Sequence, residues 1–476
     1  MNKIESKERE QWGTRIGFIL AAAGSAVGLG NIWRFPYMTG ENGGSAFILI
    51  YLIFVIIICL SIMIAEFAIG RRSRLSAVGA YKSISPNWTF AGVLGVLSAF
   101  LIMGFYPVVG GWSLAYIFKS ISGLLSSTAI SDAFGDFIGN PIEPIIWMAI
   151  YLSFNLFIVA KGISEGIEKA GRILMPTLFI LLFIIIGRSV TLPGSSAGMD
   201  FLLNPDFSKV TGQTFLAALG QAFFSLSLGM GCMMTYGSYL SSKENIPKNA
   251  LLITMLDTVC AILAGLAIFP ALFAFGLEPT EGPGLVFVVV PTIFSKMGSI
   301  GVILSIIFFI ALTVAALTSS VSLLEVVVAY LIDEKKLARK IAVGISGGVM
   351  VITSMLSSLS MGILQDFHVL GLGVGFFDFF DILTDKIFLA IGGMLLAIFV
   401  GWNVNKEDLK DELTNGGEID FPLFNLWYIL MKWIIPIAII IVASMGMVSM
   451  IKNGLLPLML FGIGIIIASA IFSKKL

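Results

Sequence analysis

The chain has 476 residues, of which 57% are hydrophobic and only 12% charged, and its mean hydropathy is +0.98. That balance excludes an ordinary water-soluble domain and describes an all-α polytopic membrane protein. Zero net charge argues against a nucleic-acid partner, and one histidine with three scattered cysteines (Cys59, Cys232, Cys260) argues against transition-metal and Cys–His chemistry. Met1–Glu10 is charged and water-loving, with no cleavage site behind a short apolar core, so it reads as a cytoplasmic segment and not as a secretory signal.

Spans of roughly 20 apolar residues predict about twelve transmembrane helices, near 12–37, 43–70, 88–121, 144–161, 167–188, 213–240, 246–276, 299–332, 340–358, 376–401, 424–448 and 454–473. Lysine and arginine cluster in alternate loops, from Lys3, Lys7 and Arg9 through Arg71, Arg72 and Arg74 to Lys335, Lys336 and the tail Lys474-Lys475. By the positive-inside bias both termini then face the cytoplasm of a multi-pass cell-membrane protein whose surface meets lipid. The whole chain, 1–476, reads as a single transmembrane domain.

The first span carries Gly24-Ser25-Ala26-Val27-Gly28-Leu29-Gly30-Asn31. Each glycine costs a helix roughly 1 kcal/mol relative to alanine, and non-helical backbone at membrane depth is tolerated only where protein or a water-filled cavity surrounds it. Two readings stand: a helix unwound around a polar ligand, or a Gly24/Gly28 pair that lets another helix pack closely. A dinucleotide loop is disfavoured by the order of the glycines.

Further along, residues 191–212 and 277–298 form irregular crossings, the second holding the short apolar run Leu285–Val290, which reads as a lid or as ordinary loop packing. The sixth span repeats the glycine pattern in Phe224-Ser225-Leu226-Ser227-Leu228-Gly229-Met230-Gly231. Interrupted helices in corresponding positions of two halves point to the binding site of an inverted-repeat secondary transporter. The halves would be 11–190 and 213–401, with two additional helices over 424–473. The eighth span adds Ala315-Ala316-Leu317-Thr318-Ser319-Ser320, and the tenth puts Asp378, Asp381 and Asp385 on one helical face.

Trp12 with GSAVGLGNIWRFP (Gly24–Pro36), Glu41-Asn42-Gly43-Gly44, FFSLSLGMG in span six and ALTSS in span eight closely resemble the neurotransmitter:sodium symporter family, and its bacterial amino-acid branch in particular. The resemblance implies a 5+5 inverted repeat with spans one and six unwound at mid-membrane, and sodium-coupled uptake of an amino acid with no enzymatic activity. It implies two sodium sites. The first would use Ala26, Asn31, Ser225 and Asp257; the second would use Gly24, Val27, Ala315, Thr318 and Ser319. Such oxygen ligands suit a hard cation. The substrate carboxylate would lie at the amides of Leu29 and Gly30, near Ser25 and Ala26, with Tyr106 donating to it. The substrate side chain would face Ile102, Phe224, Ser225, Ser227, Met230, Ser319 and Leu323, a mostly apolar pocket that favours a large neutral amino acid, hydrophobic or aromatic.

Arg34 with Asp381 (or the neighbouring Asp378) would form an outer gate; Arg9 with Asp333, beside Trp12 and Tyr239, an inner one; and Glu66 would support the unwound segments. Asp257 stands where many relatives carry asparagine, so its own charge is expected to make chloride unnecessary. Movement of spans one, two, six and seven against the rest would alternate access. The rival readings are a proton-coupled transporter of the same fold, which the retained Thr318-Ser319 pair argues against, and a receptor or intramembrane enzyme, for which no nucleophile–base pair is found. Pro107 directly follows Tyr106 and is expected to bend its helix, and Glu325 has no assigned role.

Overall fold

A computed structural model describes residues 9–126, 130–277 and 284–473, and among them every regular element is helical. Lys3, Lys7, Lys474, Lys475 and residues 278–283 of the second irregular crossing lie outside the described residues. The first span is two helices, α1 (Arg15–Ala26) and α2 (Gly30–Glu41), bent by 48° at their junction. Thr14 starts α1 by accepting from the Gly17 amide, and Val27 ends it in an extended conformation. Then follow α3 (Ser45–Ser73), the short α4 (Ala77–Ile84), α5 (Pro86–Ile121), the outlying α6 (Ile130–Gly139), α7 (Glu143–Ala160) and α8 (Ile163–Ser189).

The second half opens with α9 (Ser196–Leu203) and continues with a second broken pair, α10 (Gly212–Ser225) and α11 (Cys232–Gly237). After it come α12 (Ile246–Ala274), α13 (Leu285–Ser295), α14 (Ser299–Lys335), α15 (Arg339–Leu359), α16 (Phe376–Trp402), α17 (Lys406–Thr414), α18 (Phe424–Lys452) and α19 (Leu456–Phe472). Nine helices among the described residues are long and apolar enough to cross a membrane, or ten with the α1–α2 pair. The shortfall from twelve has a physical cause: α10 and α11 have 14 and 6 residues, and α19 has 17.

α5 and α14 lie at the centre of the bundle, and most of their middle turns are buried. α5 continues through Pro107. A proline there cannot donate to the Met103 carbonyl four residues back. Ser354 of α15 donates to that carbonyl at 3.0 Å, and Ser357 donates to the next one, Gly104, at 2.7 Å. The run Leu285–Val290 is not a loose loop: Leu285, Val286 and Phe287 are fully buried, and Phe287 packs on Trp112, Tyr116 and Phe134.

Candidate functional site

Both interruptions fall where the glycines predicted them, and they face each other. Between α1 and α2 the backbone groups that lose helical partners gain new ones. The Gly28 amide donates to Asn31 Oδ1 at 3.0 Å and the Leu29 amide to the Tyr106 hydroxyl at 3.0 Å. The Ser25 carbonyl accepts from Ser227 Oγ at 2.8 Å, while the Gly30 carbonyl, which keeps the Phe35 amide as its helical donor, also accepts from Gln221 Nε2 at 2.7 Å. The α10–α11 break spans Leu226–Gly231 and holds three left-handed residues: Gly229, Gly231 and, unusually for a side-chain-bearing residue, Ser227 at φ +53°. Glu66 of α3 is buried beneath it and accepts from the Gly229 and Met234 amides at 2.8 and 3.1 Å.

A small enclosed cavity lies between the breaks, lined by Ala26, Gly28, Gly30, Ile102, Tyr106, Phe224, Ser227, Met230, Ser319 and Leu323. Its walls leave about 10 Å³, the room of one water molecule. Three residues expected at this pocket stand just behind it. Leu29 meets it through its amide on Tyr106, Ser25 bonds to Ser322 Oγ at 2.6 Å, and Ser225 turns toward Asp257. Gly28 is a wall residue that sequence reasoning missed; a Cβ there would come within 2.7 Å of both Tyr106 Oη and Ser319 Cβ.

Two oxygen-rich clusters flank the cavity. In one, the buried Asp257 carboxylate accepts from Asn31 Nδ2 at 2.8 Å, Ser225 Oγ at 3.0 Å and Tyr51 Oη at 3.4 Å. All three donors are neutral, which leaves the carboxylate able to take a cation. Ala26, the last residue of α1, is also at the cavity wall. In the other, Thr318 Oγ1 lies 3.0 Å from the Ala315 carbonyl and 3.4 Å from that of Val27. Gly24 permits this approach, since its Cβ would lie 3.1 Å from Thr318 Cβ. The first cluster offers amide, hydroxyl and carboxylate oxygens and the second carbonyl and hydroxyl oxygens, in each case the donor set of a hard cation.

At the end of the molecule where the described chain begins, Arg9 pairs with Asp333 at 2.8 Å, donates to Ser238 Oγ and lies 4.6 Å over the Tyr239 ring. Trp12 Nε1 donates to the Tyr236 carbonyl at 3.0 Å. Glu325, left without a role by the sequence, accepts from Tyr239 Oη at 2.7 Å and pairs with Arg339 at 2.8 Å. The signal was available, because a carboxylate within an apolar span requires a partner.

The opposite end brings a correction. Arg34 pairs not with Asp381 or Asp378 but with Asp385, one turn further along α16, at 2.6 Å. A wider helical turn over Thr384–Phe388 carries Asp385 onto the buried face, and Lys386 holds its second oxygen at 2.9 Å. Asp378 is exposed. The Arg34 guanidinium also lies 4.9 Å over the ring of Phe224 on the cavity wall.

Comparison with known proteins follows the same lines. The sequence profile of the Sodium:neurotransmitter symporter family matches residues 9–136 and 128–471. An uncharacterized sodium-dependent transporter of Bacillus subtilis is 41% identical over 439 residues, covering 91% of this chain and 96% of the relative. One from Haemophilus influenzae is 38% identical over 453 residues, covering 92% and 98%. Among solved structures, MhsT in complex with L-phenylalanine superposes with a TM-score of 0.85 at 46% identity, over 91% of this chain and 99% of that one. With the profile spanning nearly all of the described residues and both relatives aligned along almost their full length, the chain belongs to the sodium:neurotransmitter symporter family.

Proposed function

We propose that this protein is a sodium-coupled symporter that imports a large neutral L-amino acid, aromatic side chains included, by alternating access and without chloride. The observation that carries the reading is the convergence of two helix breaks on one cavity, with an amide–tyrosine pair on its wall and an oxygen cluster on either side. In this reading the chain crosses the membrane twelve times with both termini cytoplasmic. Spans one to five and six to ten form the inverted repeat.

The substrate carboxylate replaces the Tyr106 hydroxyl as acceptor for the Leu29 amide, while Tyr106 swings to donate to it. Asn31, Ser225, Asp257 and the Ala26 carbonyl hold one sodium ion beside that carboxylate, so neither ligand is complete without the other. Gly24, Val27, Ala315, Thr318 and Ser319 hold a second through dipoles alone. Asp257 supplies the negative charge that chloride would otherwise bring. The wall residues Ile102, Phe224, Met230 and Leu323 carry no charge to meet an ionic side chain, and MhsT was solved with phenylalanine. Phe224 closes over the substrate under Arg34 and Asp385, while Arg9–Asp333 seals the cytoplasmic end until the bundle of spans one, two, six and seven tilts. Retention of Thr318 and Ser319 favours sodium over proton coupling in the same fold.

Equilibrium binding of radiolabelled tryptophan, tyrosine, leucine and alanine to purified protein, in sodium and in potassium, tests this. Sodium-dependent binding that strengthens with side-chain size is expected. Binding that ignores sodium and follows pH would move the reading to proton coupling.

A further inference from the structure

The Thr318-Ser319-Ser320 run contains a third hydroxyl that neither oxygen cluster uses. Successive helical residues are turned by about 100°, and Ser320 accordingly faces α7. Much of α7 is exposed, and its buried stripe contains two polar residues, Tyr151 and Asn155, each with no exposed surface. They close a ring of hydrogen bonds on Ser320. Asn155 Nδ2 donates to the Tyr151 carbonyl at 3.0 Å, which leaves its Oδ1 to accept from Ser320 Oγ at 2.5 Å. The single Ser320 proton is thereby used, so the Tyr151 hydroxyl donates to Ser320 Oγ at 2.7 Å. Tyr151 reaches that position by crossing Gly110 of α5, where a Cβ would stand 2.4 Å from its ring.

The other side of α14 rests on bare backbone. Thr318 faces Gly24, and Ser319 faces Gly28 at a distance where a Cβ would meet Ser319 at 2.7 Å. α14 is therefore held between a hydrogen-bonded ring and two glycines, leaving little freedom to rotate. We propose that Tyr151 and Asn155 are positioning residues of the second cation site: through Ser320 they fix the rotation of α14 so that the Thr318 and Ser319 oxygens meet the first break. This rests on the sodium reading of those oxygens.

The test is the sodium concentration that gives half of the maximal thermal stabilisation of the purified protein, at constant ionic strength in potassium, since a bound ion stabilises by mass action. Ser320→Ala is expected to raise that concentration about tenfold, the usual scale for losing a partner that orients a ligand, and Ser320→Thr to restore it. Asn155→Leu, which disturbs the ring from the α7 side, is expected to act in the same direction. An unchanged sodium midpoint in Ser320→Ala, with or without a lower melting temperature in potassium alone, would overturn the inference while leaving sodium coupling intact. Absence of sodium stabilisation in the unaltered protein would overturn both readings together.

Discussion

The two helix breaks solve the same backbone problem with opposite chemistry. At the first, the freed groups are met by neutral partners: an amide oxygen from Asn31, a phenol from Tyr106 and a hydroxyl from Ser227. The sixth-span break is met by a buried carboxylate, Glu66, which takes two amides at once. Neutral hydrogen bonds contribute about 0.5–1.5 kcal/mol each and those to a charge about 1.5–3 kcal/mol. On the proposed reading, the first break is the one a ligand enters by exchange, and the second is the fixed wall against which the exchange occurs.

The largest expected effect tests the fixed wall. Glu66→Leu leaves two buried amides without an acceptor and should destabilise by about 3–6 kcal/mol, visible as a steep fall in thermal midpoint together with loss of amino-acid binding. A variant as stable as the parent would place the support of that break elsewhere. Next is Gly28→Ala, whose methyl group must displace Ser319 or Tyr106. Overpacking of this kind costs about 1–3 kcal/mol, so amino-acid affinity measured by radioligand binding should fall tenfold or more. Tyr106→Phe removes one neutral bond to the first break, about 1 kcal/mol, and should weaken binding about fivefold without altering the melting temperature much. Unchanged affinity would separate Tyr106 from the substrate.

The smallest effect concerns Asp257, which is linked to the first break through Asn31. Exchange of chloride for gluconate should change uptake into proteoliposomes by less than twofold. A collapse would mean that Asp257 does not serve as the site's fixed negative charge.

Much of this was legible in the residues because the breaks are written in local terms. Closely spaced glycines beside small hydroxyls are poor helix on any account, and Gly28, Gly229 and Gly231 fall within the interruptions, while Gly24 stays inside α1. Asp385 was hidden for a different reason. Asp378, Asp381 and Asp385 share one face of a regular helix, and only the wider turn at Thr384–Phe388 decides which meets Arg34. The ring partners of Ser320 lie 165 and 169 residues away and those of Glu325 lie 14 and 86 residues away, so no spacing rule joins them. Fewer than twelve long apolar helices are counted among the described residues because the sixth span is divided into α10 and α11 and because α19 has 17 residues.

Pro107 gives α5 a mechanical character. By surrendering one of its own bonds it makes the Met103 carbonyl available, and α15 is stitched to α5 at two consecutive carbonyls. Sliding one helix along the other would break both stitches at once, about 2 kcal/mol with no compensating bond inside α5 for the first. A proline usually read as a flexible joint here acts as a rivet. The α5–α15 pair is thus expected to behave as a stator, and hydrogen exchange at its middle turns should stay slow through the transport cycle while the α1–α2 junction exchanges readily.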